Sequence, residues 1–354
     1  MNYNVTAKRI VKSIASPVLD FCGIYDALLQ RRVFTQSNWL IVMYHRVIDN
    51  AADDPFRLGM CLDSKLFAQQ IEYHVQHFTP ITVGEAVARV RAGKPLPRNA
   101  VSVTFDDGYR DFKDVALPIL KRYQCPSTVF VTTGGLEDGQ VFWWDRVLDA
   151  IFLTQRKFVD VGFLSDEPSS DILSLSIQHR NRSLDRLLDL FWNQPPARIE
   201  EQVDTFRRKL GVVMNGKLLA PRMSHAEIAE VSGDDVELGA HCEQHVDMRK
   251  LSTDACRHEL EASRRLLQEV SGQPVNGFAY PGGRENSDVQ KLVAHTGYTY
   301  AAGTSCSLNR PPYDMYSLRR LGAPDTGVSD YKRCLATAAG AAPQAVAFES
   351  VPWP

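Results

Sequence analysis

Residues 101–110 of this chain, Val-Ser-Val-Thr-Phe-Asp-Asp-Gly-Tyr-Arg, constrain its fold more than any other stretch. Apolar residues at 101, 103 and 105 alternate with small polar ones, which is typical of a short strand with one face on a core. Asp106 and Asp107 follow, and Gly108 permits the positive φ of a sharp turn. Parallel α/β folds place their chemistry at strand ends. The pattern therefore predicts two carboxylates aimed at one cavity, although Asp-Asp-Gly is also common in plain turns.

Strand and helix patterns alternate on both sides of this stretch. The apolar run Trp39–Tyr44 is suited to a strand that is buried on both faces. Residues 63–78 and 82–92 have helical spacing, and Thr82 with Glu85 forms a capping-box pattern. A further helix at 115–123 leads into a strand at 125–132. Repeated units of this kind predict an α/β fold built on a parallel sheet or barrel.

Residues 141–221 interrupt this rhythm, and their patterns predict a helical insertion with helices at 145–153, 183–192 and 197–210. The predicted organisation is a helical lead-in at 1–38, an α/β domain at 39–140 and 222–330, the insertion, and a C-terminal tail at 331–354. Trp143 and Trp144 begin the insertion. They either stack against a sugar ring or pack the insertion onto the domain, and the large area that aromatic side chains bury favours packing.

Composition narrows the function classes. The net charge of −2 gives no global field that favours nucleic acid or an anionic membrane, so no nucleic-acid partner is predicted. Seven cysteines without a CxxC pair favour a reducing compartment, and no apolar run approaches the roughly 18 residues of a membrane span. A cytoplasmic location is expected. Residues 1–32 form a predicted amphipathic lead-in, which either rests on the surface of the inner membrane or packs against the fold.

A second constellation lies at 241–245, His-Cys-Glu-Gln-His, directly after a short predicted strand at 236–239. Histidines at i and i+4 fall on one face of a helical turn and can bind one cation. The same spacing also arises by chance on surface helices. Together with a carboxylate from the earlier pair, His241 and His245 give one carboxylate and two imidazoles. Such a set leaves positions for water and substrate, as catalytic metal sites do.

Two further strand ends carry candidate residues. His45 comes directly after the first buried strand, where it either lines a site or caps the strand by hydrogen bonding. Pro281-Gly-Gly283 follows a predicted strand at 275–280. Glycines there let backbone N–H groups approach a ligand closely, as an oxyanion site requires, but they also suit an ordinary Pro-Gly turn.

Read together, these motifs resemble the polysaccharide deacetylase family, which is carbohydrate esterase family 4 or the NodB-homology family. Thr104-Phe-Asp-Asp-Gly108 matches the first family motif residue for residue. His241-Cys-Glu-Gln-His245 matches the second, with Cys242 in place of serine or threonine. Phe278-Ala-Tyr-Pro-Gly-Gly283 and Met43-Tyr-His-Arg-Val47 look like strands of the branch that reads Phe-Ala-Tyr-Pro. The resemblance covers about residues 39–323, apart from the insertion.

The resemblance implies a distorted (β/α) barrel of about seven strands and a hydrolase that removes N-acetyl groups from a glycan. It implies a divalent metal ion held by Asp107, His241 and His245. Zn²⁺ is the first candidate, and Co²⁺ and Mn²⁺ are alternatives because they accept similar ligands. Asp106 is implied as the general base, and the backbone N–H of Gly282 as an oxyanion donor.

The sequence departs from the family pattern at two places. Many members tether the base with an arginine two residues before the third-motif proline, where this chain has Ala279. Arg320 is the candidate substitute, and a surface charge is its alternative. Many members also supply the general acid from a late Leu-x-His tripeptide, which is absent after Gly283. His45 is therefore the candidate proton donor.

These interpretations favour a metal-dependent N-deacetylase of an amino-sugar polysaccharide or oligosaccharide, free or lipid-linked, in envelope or exopolysaccharide metabolism. Tyr280, Trp143 and Trp144 are the candidates for contact with the acetylated glycan. Two alternatives stay open at this point: a glycan-binding homologue whose catalysis has weakened, and a metal amidohydrolase that acts on a non-sugar amide.

Overall fold

The computed structural model describes residues 18–32, 37–51, 60–137, 141–165, 171–175, 180–212, 221–233 and 235–340. By their contacts these residues form two compact units. The first holds the described residues of 1–51, 59–134 and 223–349, and the second those of 135–222. The helical insertion predicted at 141–221 lies within the second unit.

The strands, in chain order, are β1 Trp39–Tyr44, β2 Arg46–Ile48, β3 Cys61–Asp63, β4 Thr79–Pro80, β5 Ala100–Phe105, β6 Ser127–Val131, β7 Phe158–Asp160, β8 Ile172–Ser174, β9 Val236–Ala240, β10 Gly277–Ala279, β11 Tyr300–Ala302 and β12 Leu321–Gly322. The helices are α1 Ile24–Arg32, α2 Ser64–His77, α3 Val83–Arg91, α4 Leu117–Arg122, α5 Trp143–Leu153, α6 Arg180–Trp192, α7 Pro196–Leu210, α8 His225–Val231, α9 Thr253–Ser271, α10 Ser287–His295 and α11 Val328–Gly340. A π-helical turn at Phe112–Ala116 precedes α4.

A parallel sheet organises the first unit. Its strands run in the order β11, β10, β9, β6, β5, β1, β12, and β4 pairs with the start of β5. β1 and β5 stay in register over six residues, from Trp39 opposite Ala100 to Tyr44 opposite Phe105. Because the strands are parallel, their carboxyl ends meet at one edge, where His45, Asp106 and His241 directly follow β1, β5 and β9.

One segment, residues 315–322, joins the two ends of this sheet. Leu318 donates its N–H to the Ala301 carbonyl of β11 at 2.9 Å. Three residues later, Leu321 lies opposite Val42 of β1. The sheet is therefore curled into a distorted barrel with helices around it, which confirms the predicted α/β fold class. Apolar side chains of neighbouring strands, among them Ile41, Phe130 and Leu318, are fully buried in one core.

Local sequence explains where the surrounding helices begin. Thr82 caps α3 by accepting the N–H of Glu85 at 3.1 Å, as the capping-box pattern predicts. Ser252 caps α9 in the same way, through the N–H of Ala255, and Gly272 ends that helix with a left-handed φ of 65°. These caps fix the helices that cover the sheet.

Helices near both ends of the described chain belong to the first unit. Lys332 of α11 lies 2.9 Å from Asp20 and 3.1 Å from Asp26 of α1, and Tyr331 is fully buried. The first unit thus continues past the boundaries predicted at 38 and 331. Residues 1–17 of the predicted membrane-contacting segment 1–32, and the tail beyond 340, lie outside the described residues. Among the described helices, none combines the length and the hydropathy that crossing a membrane requires.

The second unit contains α5, α6 and α7, which correspond to the three helices predicted there. It also contains a two-stranded antiparallel sheet, β7 with β8, that the sequence did not predict. Each of those strands has three residues, which is too short for an alternating pattern to stand out. Trp143 packs on Trp144 and on Phe191 of α6, with ring centroids 5.4 and 5.6 Å apart.

Candidate active site

The turn after β5 places two neighbouring carboxylates at the edge of the sheet. The N–H of Asp106 continues the ladder to the Tyr44 carbonyl at 3.0 Å, and Asp107 then takes a left-handed φ of 74°. Gly108 has φ 85°, and a Cβ there would lie 2.8 Å from Val131, so this position requires glycine for two reasons. The reversal lets Asp107 escape the strand alternation, as predicted from the sequence.

The histidine pair does not lie on a helical turn, and that prediction is wrong. β9 ends at Ala240, and residues 241–245 form an irregular loop in which Cys242 has φ 64° and His245 has φ 50°. The loop still brings the two imidazoles together, with ring centroids 4.8 Å apart and planes at 72°. The two imidazoles are therefore close together, as predicted, although the backbone between them is an irregular loop and not a helical turn.

Asp107, His241 and His245 meet at one point. Asp107 Oδ1 lies 3.5 Å from His241 Nε2 and 3.4 Å from His245 Nε2. The side chains of Asp107 and His241 are buried, and that of His245 is nearly so. Their three ligand atoms all lie within 4.8 Å of one another. This convergence of an early carboxylate with two late imidazoles is the geometry on which the predicted metal site depends.

The hydrogen bonds of this group fit a cation. His241 Nδ1 lies 2.8 Å from the Ala279 carbonyl, to which only an N–H can donate, so its Nε2 is the atom left to face Asp107. Asp107 Oδ1 is buried and has no hydrogen-bond partner among the described residues. Carboxylate oxygen and imidazole nitrogen are ligands that Zn²⁺ accepts. The residues present therefore fit a divalent ion with three protein ligands.

The charges of Asp107 and His245 agree with that fit. Burial raises the pKa of Asp107, but the nearby His241 and His245 lower it further than burial raises it, so the carboxylate stays ionised. Burial lowers the pKa of His245 to about 3, which keeps that imidazole neutral at physiological pH. For His241 burial lowers the pKa, and the two carboxylates and the Ala279 carbonyl raise it above its ordinary value overall.

Asp106 is held separately from the triad by Arg320. The guanidinium donates to both carboxylate oxygens, from Nη1 at 2.6 Å and from Nη2 at 2.7 Å, and its Nε donates to the Gly303 carbonyl. Arg320 is fully buried, so the alternative of a surface charge is wrong. Burial raises the pKa of Asp106, but Arg320 together with His241 and His45 lowers it further, so the pKa lies below its usual value. The tether expected in place of Ala279 thus comes from the strand segment that closes the sheet.

His45 lies beside the same group. It directly follows β1 and is half-buried. Burial raises the pKa of Asp106 and of Asp107. His45 is one of the groups that lower both pKa values, after Arg320 and His241 for Asp106 and after His241 and His245 for Asp107. The structure therefore brings together the predicted base, the three predicted ligands and the predicted proton donor.

Comparison with known proteins now identifies the fold and the motifs. The model of the family described as polysaccharide deacetylase matches residues 93–301, which is more than half of the chain. This chain belongs to the polysaccharide deacetylase family. The family groups hydrolases that act on carbon–nitrogen bonds other than peptide bonds. β1 and Arg320 lie outside the matched range, although both contribute to the site.

Individual relatives agree with this membership. Poly-beta-1,6-N-acetyl-D-glucosamine N-deacetylase of Escherichia coli K12 is 30% identical over 129 residues, which are 35% of this chain and 19% of that protein. The match therefore spans about a fifth of the relative's length. Among solved structures, the deacetylase PplD of Streptococcus pyogenes, in complex with acetate, gives a TM-score of 0.53 at 18% identity and covers 86% of this chain and 99% of its own. IcaB of Ammonifex degensii gives 0.52 at 19% identity, covering 86% and 98%. At these identities the solved structures support the fold alone.

The remaining candidate residues of this deacetylase-family site fall into two groups. Gly282 lies in the turn after β10 with φ 59°, next to Gly283 with φ 64°, and both are partly exposed. The N–H of Gly282 lies in the turn that directly follows β10, three residues after Ala279. The carbonyl of Ala279 accepts the hydrogen bond of His241 Nδ1 and so orients that imidazole. The predicted oxyanion role of Gly282 stays a prediction.

The three aromatic residues predicted to contact the glycan are all buried. Tyr280 has no exposed surface, and its hydroxyl donates to the Tyr316 carbonyl at 2.9 Å. In the second unit, Trp144 stacks on Phe142 at 4.1 Å, and Trp143 and Trp144 are 8% and 6% exposed. These rings leave almost no exposed face for a sugar. The contacts of Trp143 with Phe191 and of Trp144 with Phe142 lie within the second unit, so packing of the insertion onto the domain stays a prediction. The prediction of sugar contact is wrong for the described arrangement.

Sequence reasoning missed one supporting ion pair. Asp111 accepts the Arg46 Nε at 2.7 Å, and its second oxygen lies 3.4 Å from the Val47 N–H. This pair fixes the residue after His45 to the segment that follows the Asp106–Asp107 turn. The proximity of Asp111 to the first motif, three residues after Gly108, was the one signal in the sequence, and the position of Arg46 gave none.

Proposed function

We propose that this chain is a metal-dependent N-deacetylase that removes acetyl groups from an N-acetylated amino-sugar polymer. The observation that carries the proposal is the pairing of two roles at one turn. Asp107 joins two imidazoles in a three-ligand set, while its neighbour Asp106 is tethered by Arg320 and takes no part in that set. A binding module needs no ionised base beside a ligand triad.

Asp107, His241 and His245 would hold the ion, with Zn²⁺ the first candidate and Co²⁺ or Mn²⁺ the alternatives. A divalent ion bound there would polarise the acetyl carbonyl and make water a competent nucleophile near neutral pH. The chain's own residues supply the rest of the chemistry. Arg320 keeps Asp106 ionised and fixed, so that its carboxylate can accept a proton from the attacking water.

The products require two more contributions. The leaving amine needs a proton, and His45 is the imidazole beside the two aspartates that can deliver it. The N–H of Gly282 would stabilise the negative charge that develops on the carbonyl oxygen. Water then contributes its oxygen to acetate, and the sugar leaves with a free amino group.

The substrate class follows from the relatives. The Escherichia coli protein is named for poly-beta-1,6-N-acetyl-D-glucosamine, and it shares 30% identity with this chain over the matched residues. We therefore propose β-1,6-linked N-acetylglucosamine oligomers as the first substrate to test. β-1,4-linked oligomers are the control for linkage, and an N-acetylated peptide is the control for the amidohydrolase alternative.

The experiment combines two measurements on the purified chain. Bound metal is determined by elemental analysis, and acetate release is followed with each oligomer, for wild type and for Asp106→Asn. We expect one ion per chain in both proteins and acetate release from the β-1,6 oligomer by wild type. Asp106→Asn should release acetate at least about 100-fold more slowly, since general-base catalysis contributes a factor of this size.

Two results would separate the alternatives. Bound metal without acetate release from any glycan would favour the binding homologue. Faster release from the acetylated peptide than from either glycan would favour the amidohydrolase. The reason for suspecting decay was Ala279, and the Arg320 tether removes that reason, because Asp106 has its arginine partner from another strand.

A further inference from the structure

The loop that carries His241 and His245 is strained and must be held by its surroundings. Cys242 and His245, neither of which is a glycine, have left-handed φ values of 64° and 50°. Such conformations cost free energy and persist only where neighbouring groups fix them. Which groups fix this loop therefore decides whether the two imidazoles stay aimed at Asp107.

The carbonyl groups of the loop are bound by the end of β6. The Thr132 hydroxyl donates to the His241 carbonyl at 2.9 Å. The N–H groups of Thr133 and Gly134 donate to the carbonyls of Cys242 and Glu243, at 3.2 and 2.7 Å. A Cβ on Gly134 would lie 2.7 Å from the Glu243 carbonyl oxygen, so the close approach requires glycine. These contacts restrain one side of the loop.

Two consecutive N–H groups of the loop, those of Glu243 and Gln244, donate to a single carboxylate. Glu259 Oε2 accepts the N–H of Glu243 at 2.8 Å and that of Gln244 at 2.9 Å. Glu259 is 7% exposed and lies on the buried face of α9. Burial raises its pKa, and the two N–H donors offset part of that effect. A carboxylate kept in so dry a position holds two consecutive peptide groups between the histidines.

We propose that Glu259 is a positioning residue for the metal ligands. By accepting both N–H groups of the residues between the histidines, it holds the loop in the conformation that directs His241 and His245 at Asp107. This inference rests on the proposed function, since it concerns the ion of that site. It adds a residue that lies fourteen positions beyond the last ligand and touches none of the three.

The chain offers a matched control in Glu237 of β9. Its Oε2 accepts the N–H of Gly84 at 2.7 Å and the Thr128 hydroxyl at 2.9 Å, and its Oε1 accepts the Tyr300 hydroxyl at 2.8 Å. Burial raises the pKa of Glu237 as it does that of Glu259. Both glutamates thus accept hydrogen bonds from backbone N–H groups, but Glu237 is partly exposed and holds the start of α3 and not the histidine loop.

The test measures the affinity of the full chain for Zn²⁺ alone, by titrating the ion-free protein in competition with a chelator. Glu259→Ala and Glu259→Asp remove the acceptor or withdraw it by one methylene, and we expect Zn²⁺ affinity to fall about 10–100-fold, as for other residues that orient metal ligands. Glu259→Gln keeps one acceptor oxygen and should stay within about threefold of wild type. Glu237→Gln should also stay within about threefold. The thermal midpoint of each ion-free protein reports folding separately.

Three outcomes would overturn the proposal: wild-type affinity in folded Glu259→Ala and Glu259→Asp, an equal loss in Glu259→Gln, or an equal loss in Glu237→Gln. If Glu259→Ala does not fold, the aspartate and glutamine variants decide alone. Acetate release is read independently. A wild-type chain that binds Zn²⁺ through a Glu259-dependent loop, yet releases no acetate, would refute the deacetylase function and leave the positioning role intact.

Discussion

Strand β9 connects two polar clusters that are built in opposite ways. Near its start, the two carboxylate oxygens of Glu237 accept three hydrogen bonds. The donors are the N–H of Gly84, the hydroxyl of Thr128 and the hydroxyl of Tyr300. Directly after its end, His241 meets Asp107 and His245, and the atoms that face one another there are a carboxylate oxygen and two ring nitrogens. Donors match acceptors in the first cluster, while three potential metal-ligand atoms converge in the second.

This difference separates a structural cluster from a ligand site. A buried acceptor without a donor costs free energy, so a fold built only for stability pairs its buried polar atoms. Asp107 Oδ1, buried and without a hydrogen-bond partner among the described residues, departs from that rule. A cation would bind the carboxylate oxygen and both ring nitrogens at once. The convergence of these three ligand atoms, more than the mere presence of aspartate and histidine, marks the site.

Neighbouring residues of the same turn repeat the contrast. Asp106 is paired through both oxygens with Arg320, whereas Asp107 Oδ1 lies beside the imidazoles of His241 and His245. The left-handed φ of Asp107 sends the two carboxylates to these different environments. One aspartate is therefore held in place by the protein, and the other is left to a ligand.

The largest expected effect comes from Asp107→Asn, which leaves the shape and replaces one acceptor oxygen by an amide. We expect loss of stoichiometric metal, by elemental analysis, and a fall in acetate release of at least about 100-fold, since ligand loss exceeds the effect of supporting residues. The stability of the ion-free protein should not fall, because the amide can donate to an imidazole. Glu237→Gln is the counterpart, and it should lose stability and keep the metal. If Asp107→Asn or His245→Ala still bound one metal ion per chain, the contrast between the Glu237 cluster and the Asp107–His241–His245 site would be wrong.

Removal of the Arg320 charge is expected to have the next largest effect. Arg320→Met leaves Asp106 buried without its partner, which costs on the order of 3–5 kcal/mol of unfolding free energy. Arg320 lowers the pKa of Asp106, so its contribution to stability is present above the unfolded pKa of an aspartate and is lost as the pH falls. Without it the pKa rises, and the acid limb of the acetate-release profile should move to higher pH.

Urea unfolding at pH 7 and a pH profile of acetate release check both parts of this expectation. Arg186→Met serves as the control, because Arg186 pairs with Asp171 while 56% of its side chain is exposed. An exposed pair contributes about 0–1 kcal/mol. Equal losses in the two variants, or an unmoved acid limb in Arg320→Met, would contradict the assigned tether.

The sequence predicted those parts of the site that depend on short-range pattern. Alternation up to Phe105 followed by Asp-Asp-Gly placed both carboxylates at a strand end, and the order of the motifs brought in His241 and His245. Arg320 was chosen as the partner of Asp106 because Ala279 lacked a charge, and the closing segment puts it there. In each case the local pattern puts the residue at or near the end of a strand, and the parallel sheet brings those strand ends together at one edge.

The errors arise where distant contacts override local pattern. Four-residue spacing predicts a helical turn for the histidines, but their loop is hydrogen-bonded to Thr132, directly after β6, and to Glu259 of α9. These residues are distant in sequence, so no local pattern reveals the contacts. Tyr280 was expected to face the glycan, yet its hydroxyl reaches inward to Tyr316. Glu259 itself was detectable in principle, since it lies between Cys256 and Leu260 on the buried face of its helix, where a lone glutamate needs a partner.

The smallest expected effect concerns His74 of α2, a buried imidazole outside the site. Burial lowers its pKa to about 3, as it does for His245. Its Nε2 shares a hydrogen bond with the Tyr331 hydroxyl, and its Nδ1 has no hydrogen-bond partner among the described residues, so a second proton would be unsatisfied. The unfolded chain binds that proton near pH 6.5, and stability is therefore lost as the pH falls from about 6.5 towards 3.

At pH 5.5 this term should amount to about 1.4 kcal/mol, and His74→Gln should remove it. Urea unfolding of both proteins at pH 7.5 and pH 5.5, with metal chelated, isolates the term, because His245 contributes equally to each. Identical pH dependence would mean that His74 is not kept neutral by the fold. A larger loss in wild type than in His74→Gln would show that the fold keeps a buried imidazole neutral without a cation, and that the proposed ligand role of His245 follows from its neighbours and not from its pKa.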